Sequence, residues 1–109
     1  IIKIIKDKKN NVLYLSRANI PFEFKENSKY LYKHLSIISF KKNSLIKYSS
    51  SKKTRLEKIE DIELLRALEI GLKIKSVNLK GDSFSVDILD DYKKAENYMK
   101  KDKLFKLYK

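Results

Sequence analysis

Four side chains in this sequence are of types that could do more than pack: Arg17, His34, Glu63 and Asp87. Arg17 stands out because it is one of three arginines beside 23 lysines. A planar guanidinium grips a carboxylate through two parallel hydrogen bonds, which an ammonium cannot do. The bland use of Arg17 is a surface ion pair with Glu23 or Glu26. His34 is the lone histidine, beside an expected strand, and unaided such a residue is more often a structural group than a base. Glu63 falls on an expected helix, where most glutamates are solvated. Asp87 falls where an N-cap for the last helix is expected, with Asp90 at the reciprocal position.

Composition removes most other chemistries. The 109 residues suffice for one small domain or for part of a larger one. There is no cysteine, which excludes disulfides, zinc-thiolate sites and cysteine nucleophiles. One histidine excludes a histidine-rich metal cluster, and two glycines, Gly71 and Gly81, cannot write a glycine-rich phosphate loop. No apolar run approaches the roughly 20 residues a membrane-spanning helix needs. The net charge of +12 is lopsided: residues 1–54 carry 13 basic and 3 acidic groups, residues 55–109 carry 13 and 11. A basic half can attract an anionic partner. Its positive charge is almost all lysine, however, whereas nucleic-acid readers lean on arginine, so no nucleic acid is expected.

Around the four residues the sequence predicts an α/β layer with a mixed sheet and helices packed on it. Ile1–Ile5 and Val12–Leu15 flank a polar stretch and read as a hairpin. The opening Ile-Ile-Lys-Ile-Ile has no features of a signal peptide and reads as a strand entered in mid-protein. Residues 16–30 hold the only proline, Pro21, and read as a loop carrying function. Leu35–Phe40 reads as a buried strand. Asn43 or Ser44 is expected to cap a short helix with Leu45 and Tyr48 inward. Thr54-Arg55-Leu56-Glu57 fits a capping box opening one helix with Leu56, Ile59, Ile62, Leu65 and Leu68 inward, stopped at Gly71. Lys73–Leu79 reads as a further strand. A last helix starts at Ile88 or Leu89 with Ile88, Tyr92, Ala95 and Met99 on one face.

Ser16-Arg17-Ala18-Asn19-Ile20-Pro21 resembles the Ser-Arg-Ala/Ser-x-Ile-Pro segment of the 3-deoxy-manno-octulosonate (Kdo) cytidylyltransferases, the CMP-Kdo synthetases. The match continues in order and spacing. Val12-Leu13-Tyr14-Leu15 resembles the strand before that segment, and Tyr32-Lys33-His34-Leu35-Ser36-Ile37 is similar to the family's L-K/R-H-L/I-G-I. Leu56-Glu57-Lys58-Ile59-Glu60, running on to Ile62-Glu63-Leu64-Leu65-Arg66-Ala67-Leu68-Glu69, looks like its L-E-x-x-E-x-L-E-Q-L-R-x-L-E helix. Ser85-Val86-Asp87 with Asp90-Asp91 resembles G-V-D-T-P-E-D-L.

The resemblance implies the C-terminal, sugar-binding and dimerising part of a nucleotide-diphospho-sugar transferase (Rossmann-like) fold, residues 1–109 being one piece of a single domain whose CTP-binding half is absent. It implies transfer of CMP from CTP to Kdo in a cytoplasmic homodimer that makes lipopolysaccharide precursors, with this piece inactive alone. It gives Arg17 the sugar carboxylate, His34 and Glu63 the sugar hydroxyls, and Asp87 a Mg²⁺ ion, a hard cation suited to a carboxylate oxygen. Some positions depart from the family pattern. Tyrosine is replaced by Ile38, glycine by Ser36 and Ser85, glutamine by Leu64, and threonine and proline by Ile88 and Leu89. Ile38 and Leu64 remove partners for sugar hydroxyls, each worth on the order of 1 kcal/mol, and the loss of threonine and proline at Ile88 and Leu89 weakens the helix cap. They leave open a modified 2-keto sugar acid, such as an amino-Kdo. The remaining alternative is a non-catalytic basic module for nucleic acid or an acidic partner.

Overall fold

A computed structural model of the chain describes residues 1–25, 31–80 and 84–108. They divide into two compact units, Ile1–Val77 and Asn78–Lys109. Glu26 and the end of the expected loop, residues 26–30, lie outside the described residues.

The first unit begins with the expected hairpin. Strands β1 (Lys3–Lys6) and β2 (Val12–Ser16) pair antiparallel, with Lys3 opposite Ser16 and Ile4 opposite Leu15. Asp7 organises the turn. Its Oδ1 accepts from the backbone N–H groups of Lys9 and Asn11, both at 2.8 Å, and its Oδ2 accepts from Asn11 Nδ2 at 2.6 Å. Asn10 takes a left-handed conformation (φ 63°), which asparagine tolerates better than most residues. The Asn11 side chain, first among these donors, holds the Asp7 carboxyl below its usual range.

A two-residue strand, β3 (Tyr32–Lys33), pairs antiparallel with the other edge of β1, giving the order β2-β1-β3. The sheet among the described residues is therefore antiparallel, where a mixed one was expected. β1 and β2 are joined by a tight turn, which permits only antiparallel pairing. Leu35–Phe40 is not a strand: Ile37 and Ile38 are exposed and the ladder ends at His34 N–H to Ile2 O, 2.9 Å. Among the described residues nothing lies opposite for that run to pair with. Lys73–Leu79 contributes one bridge, Asn11 with Lys75, and Val77 and Leu79 stay exposed.

Helix α1 (Lys42–Ser49) starts earlier than expected, with Lys41 at the N-cap; Tyr48 turns inward while Leu45 stays exposed. The single helix expected from Thr54 to Gly71 is two, α2 (Arg55–Glu60) and α3 (Leu64–Glu69). Asp61 breaks them apart in a left-handed conformation (φ 51°, ψ 47°). The break re-phases the chain, so that Ile62, Leu64, Leu65 and Ala67 are all buried while Ile59 faces solvent. The predicted stop holds. Gly71 has φ 79°, with Leu72 N–H bonded to Ala67 O and Gly71 N–H to Leu68 O, the double bond of a Schellman end.

Val12, Leu15, Ile62, Leu64 and Leu65 form the core, flanked by Ile2, Ile4, Phe40 and Leu56. One ion pair is folded into this layer. Arg66 Nε lies 3.0 Å from Glu57 Oε2, with the two side chains 15% and 3% exposed. Arg66 also donates to Glu57 Oε1, Ser51 O and the Tyr48 hydroxyl, and its guanidinium stacks 4.4 Å from the Tyr48 ring centre. Glu57 Oε2 accepts from Thr54 N–H at 3.2 Å, the reciprocal half of the capping box. α1, α2 and α3 are thus tied through one guanidinium.

The second unit holds α4 (Leu89–Lys101) and a 3₁₀ turn at Phe105–Tyr108. The α4 start is as expected, but its cap is not Asp87 with Asp90. Ile88 is at the N-cap, and Asp91 Oδ2 accepts from the backbone N–H of both Ile88 and Asp87 at 3.3 Å. Tyr92, Ala95 and Met99 share a groove with Phe105. No helix among the described residues is long and apolar enough to cross a membrane.

Leu65, fully enclosed, should be the most sensitive core position. Leu65→Ala is expected to lower unfolding free energy by about 2–5 kcal/mol in a denaturant titration of the protein. Removing Arg66 alone, which strands the buried Glu57 charge, should cost about 3–5 kcal/mol. A loss below about 1 kcal/mol for both would contradict this core.

Candidate functional site

The Ser16-Arg17 step sits where β2 meets the turn between α2 and α3. Ser16 is buried, and its Oγ donates to Glu60 Oε1 at 2.6 Å. Glu60 Oε2 accepts from the Arg17 backbone N–H at 3.0 Å. In return the Arg17 side chain reaches over the end of α2, donating from Nε to Glu60 O (2.8 Å) and from Nη2 to Asp61 O (3.0 Å). These carbonyls are available because the helix breaks at Asp61, and a cation there also meets the negative end of the helix dipole. The Asp61 carboxylate adds a looser contact at 3.9 Å. The Arg17 side chain remains 54% exposed. Arg17 thus anchors to backbone at the α2 end and pairs loosely with Asp61; of the two expected partners, Glu26 lies outside the described residues.

Glu60 is the residue that sequence reasoning passed over. It read as one more glutamate on a helix, and nothing in its spacing signals a link to Ser16, 44 positions away. The Ser16 hydroxyl and then the Arg17 N–H bind its charged form and hold its carboxyl below the usual range. Tyr14 also hydrogen-bonds it, and burial pushes the Tyr14 phenol up.

His34 follows Lys33, as Arg17 follows Ser16, and both Lys33 and Ser16 pair with Lys3. The two residues therefore flank β1 at the same end of the sheet, with backbones separated by two strand spacings, on the order of 10 Å. Burial pushes the half-buried His34 imidazole below its ordinary value. It is thus kept neutral, able to donate from one nitrogen and accept at the other. Glu63 is exposed in the short link between α2 and α3, two residues beyond Asp61, and its carbonyl accepts from the Tyr48 hydroxyl at 3.2 Å. Arg17, His34 and Glu63 thus all belong to the first unit. Asp87 belongs to the second, exposed just ahead of α4. Leu64 is in the core and Ile38 is half exposed; neither side chain carries a polar group.

Comparison with known proteins places the chain in a family. Residues 2–74 match the cytidylyltransferase family, and the chain belongs to that family. Among its relatives is a 3-deoxy-manno-octulosonate cytidylyltransferase of Thermodesulfovibrio yellowstonii, 39% identical over 103 residues, covering 88% of this chain and 40% of the relative. Another, from Fusobacterium nucleatum, is 34% identical, over 94% of this chain and 42% of its own length. An 8-amino-3,8-dideoxy-manno-octulosonate cytidylyltransferase of Shewanella frigidimarina is 39% identical, over 87% of this chain and 39% of its own length. A solved CMP:2-keto-3-deoxy-manno-octonic acid synthetase in complex with CTP superposes with a TM-score of 0.81 at 26% identity, over 92% of this chain and 42% of that one. The chain thus spans about 40% of the length of the relatives it matches.

The pH dependence follows from Glu60 and His34. Both have folded-state values below their ordinary ones, so each contributes stability above its ordinary value that is lost as pH falls through the lowered one. The His34 contribution should fade first, as pH drops below about 6.5, and that of Glu60 below about 4.3. In a series of thermal melts, Glu60→Gln should flatten the decline that sets in below about pH 4.5, leaving the part due to Asp7, whose carboxyl is likewise held low. An unchanged acid limb in that variant would contradict the junction as described.

Proposed function

We propose that this chain is the C-terminal, sugar-acid-binding part of an enzyme that transfers CMP from CTP to Kdo, releasing pyrophosphate. The observation that carries the reading is Arg17. Within Ser16–Pro21 it is fixed to the end of α2 by two carbonyls yet remains half exposed, as a carboxylate receptor must be. The names of the relatives support the substrate class.

In this reading the Arg17 guanidinium receives the carboxylate of the keto-sugar acid, and charge-assisted pairing sets its orientation. The neutral His34 imidazole and the Glu63 carboxylate take sugar hydroxyls. The anomeric hydroxyl then attacks the α-phosphorus of CTP. A P–O bond to the sugar forms, the bond to the bridging oxygen breaks, pyrophosphate leaves, and the hydroxyl proton is released. The CTP-binding half belongs to the rest of the enzyme, which pairs as a homodimer.

A divalent cation such as Mg²⁺ supplies charge neutralisation on the phosphates in this class of reaction. Asp87 would hold it: an exposed carboxylate is a suitable hard-oxygen ligand, and Mg²⁺ needs only one or two from protein. Among the described residues no group of three candidate ligands gathers.

A second reading, an amino-Kdo as acceptor, is favoured by Ile38, which presents no hydrogen-bonding group, and by the name of the Shewanella relative. A substrate panel separates them, since preference for Kdo over its amino analogue excludes the second reading. The full-length protein should release pyrophosphate dependent on CTP, Mg²⁺ and the sugar acid. Arg17→Lys should lower kcat/KM for that acid by about a hundredfold, because a point charge cannot replace the fork. Absence of turnover with every 2-keto sugar acid would overturn the proposal.

A further inference from the structure

The Arg17 guanidinium has two edges that can hold a carboxylate with parallel hydrogen bonds: the side edge, Nε with Nη2, and the end edge, Nη1 with Nη2. The side edge is taken. Nε–H donates to Glu60 O at 2.8 Å and Nη2 to Asp61 O at 3.0 Å. A carboxylate arriving at this arginine is therefore met by the end edge alone. Rotation about the side-chain bonds would expose the other edge only by breaking both bonds to the α2 terminus.

The guanidinium reaches those carbonyls because the backbone of Arg17 is itself pinned. The Glu60 carboxylate receives the Ser16 hydroxyl with one oxygen and the Arg17 N–H with the other. The same Ser16 oxygen accepts from Ala18 N–H at 3.0 Å, extending the clamp to the residue after Arg17. One carboxylate thus fixes the chain on both sides of the arginine Cα, while the main chain of the same glutamate fixes its head group.

We propose that Glu60 is a positioning residue: it sets the orientation of Arg17 so that the sugar acid's carboxylate is bound end-on. The inference rests on the proposed function for the identity of the carboxylate, though not for the geometry of the clamp. Glu60 does not touch the ligand. It removes the orientational freedom that a long arginine side chain otherwise loses on binding.

The test uses the full-length protein with Glu60→Ala, Glu60→Gln and, as a control for lost stability alone, Leu65→Val. Glu60→Ala should raise KM for the 2-keto sugar acid by about tenfold while leaving KM for CTP within about twofold. Glu60→Gln should recover part of the loss, since its amide oxygen still accepts one of the two bonds while its NH₂ cannot accept the other. Leu65→Val should lower the melting temperature without separating the two KM values. Equal changes in both KM values for Glu60→Ala, or no recovery in Glu60→Gln, would overturn the inference. If the wild-type protein turns over no 2-keto sugar acid, the proposed function fails and the clamp is judged by NMR. The Arg17 Nε–H should then give a slowly exchanging signal in the wild type that is lost in Glu60→Ala, and its persistence would overturn the positioning role.

Discussion

One carboxylate governs the geometry of the candidate site. Glu60 closes α2, receives the end of β2 through Ser16 and Arg17, and lends its own carbonyl to the guanidinium that follows. Without this junction the hairpin and the helical layer would still share apolar contacts among Leu15, Ile62 and Leu65. Apolar contact is non-directional, however, and would leave the strand-to-loop transition at Arg17 free in angle. Hydrogen bonds to a charged acceptor supply the direction.

The junction also explains why one helix became two. A continuous helix from Thr54 to Gly71 would satisfy the Glu60 and Asp61 carbonyls internally and keep Ile59 on its buried face. The left-handed Asp61 instead releases those carbonyls to Arg17, turns Ile59 out and brings Leu64 in. The Arg66–Glu57 pair restrains the two shorter helices, which are too short to persist by propensity alone. Such an enclosed ion pair is held by geometry and by its further bonds to Ser51 and Tyr48 more than by attraction alone.

How far the sequence foretold this differs by element. The hairpin, the Gly71 stop and the start of α4 were legible, because each depends on neighbours in the chain: alternation, a left-handed glycine, a polar entry to an amphipathic run. Leu35–Phe40 misled, since its apolar β-branched residues meet the local criteria for a strand while no strand lies opposite among the described residues. The same holds for Lys73–Leu79, reduced to one bridge with Asn11. In the site, Arg17 was marked by its rarity among lysines, and family resemblance supplied roles for His34, Glu63 and Asp87. Glu60 was invisible. Its partners lie more than 40 positions away, and its role arises from a helix break that no local pattern announces.

The central claim is that Arg17 reads the acid group of a sugar, and the most direct measurement couples those two groups. Binding of Kdo and of its carboxamide would be compared by calorimetry in the full-length protein and in Arg17→Ala. If the guanidinium holds the carboxylate, replacing that group should weaken binding by about tenfold or more in the wild type and by little in the variant. An equal loss in both proteins would show that the two groups do not meet, and would contradict the account.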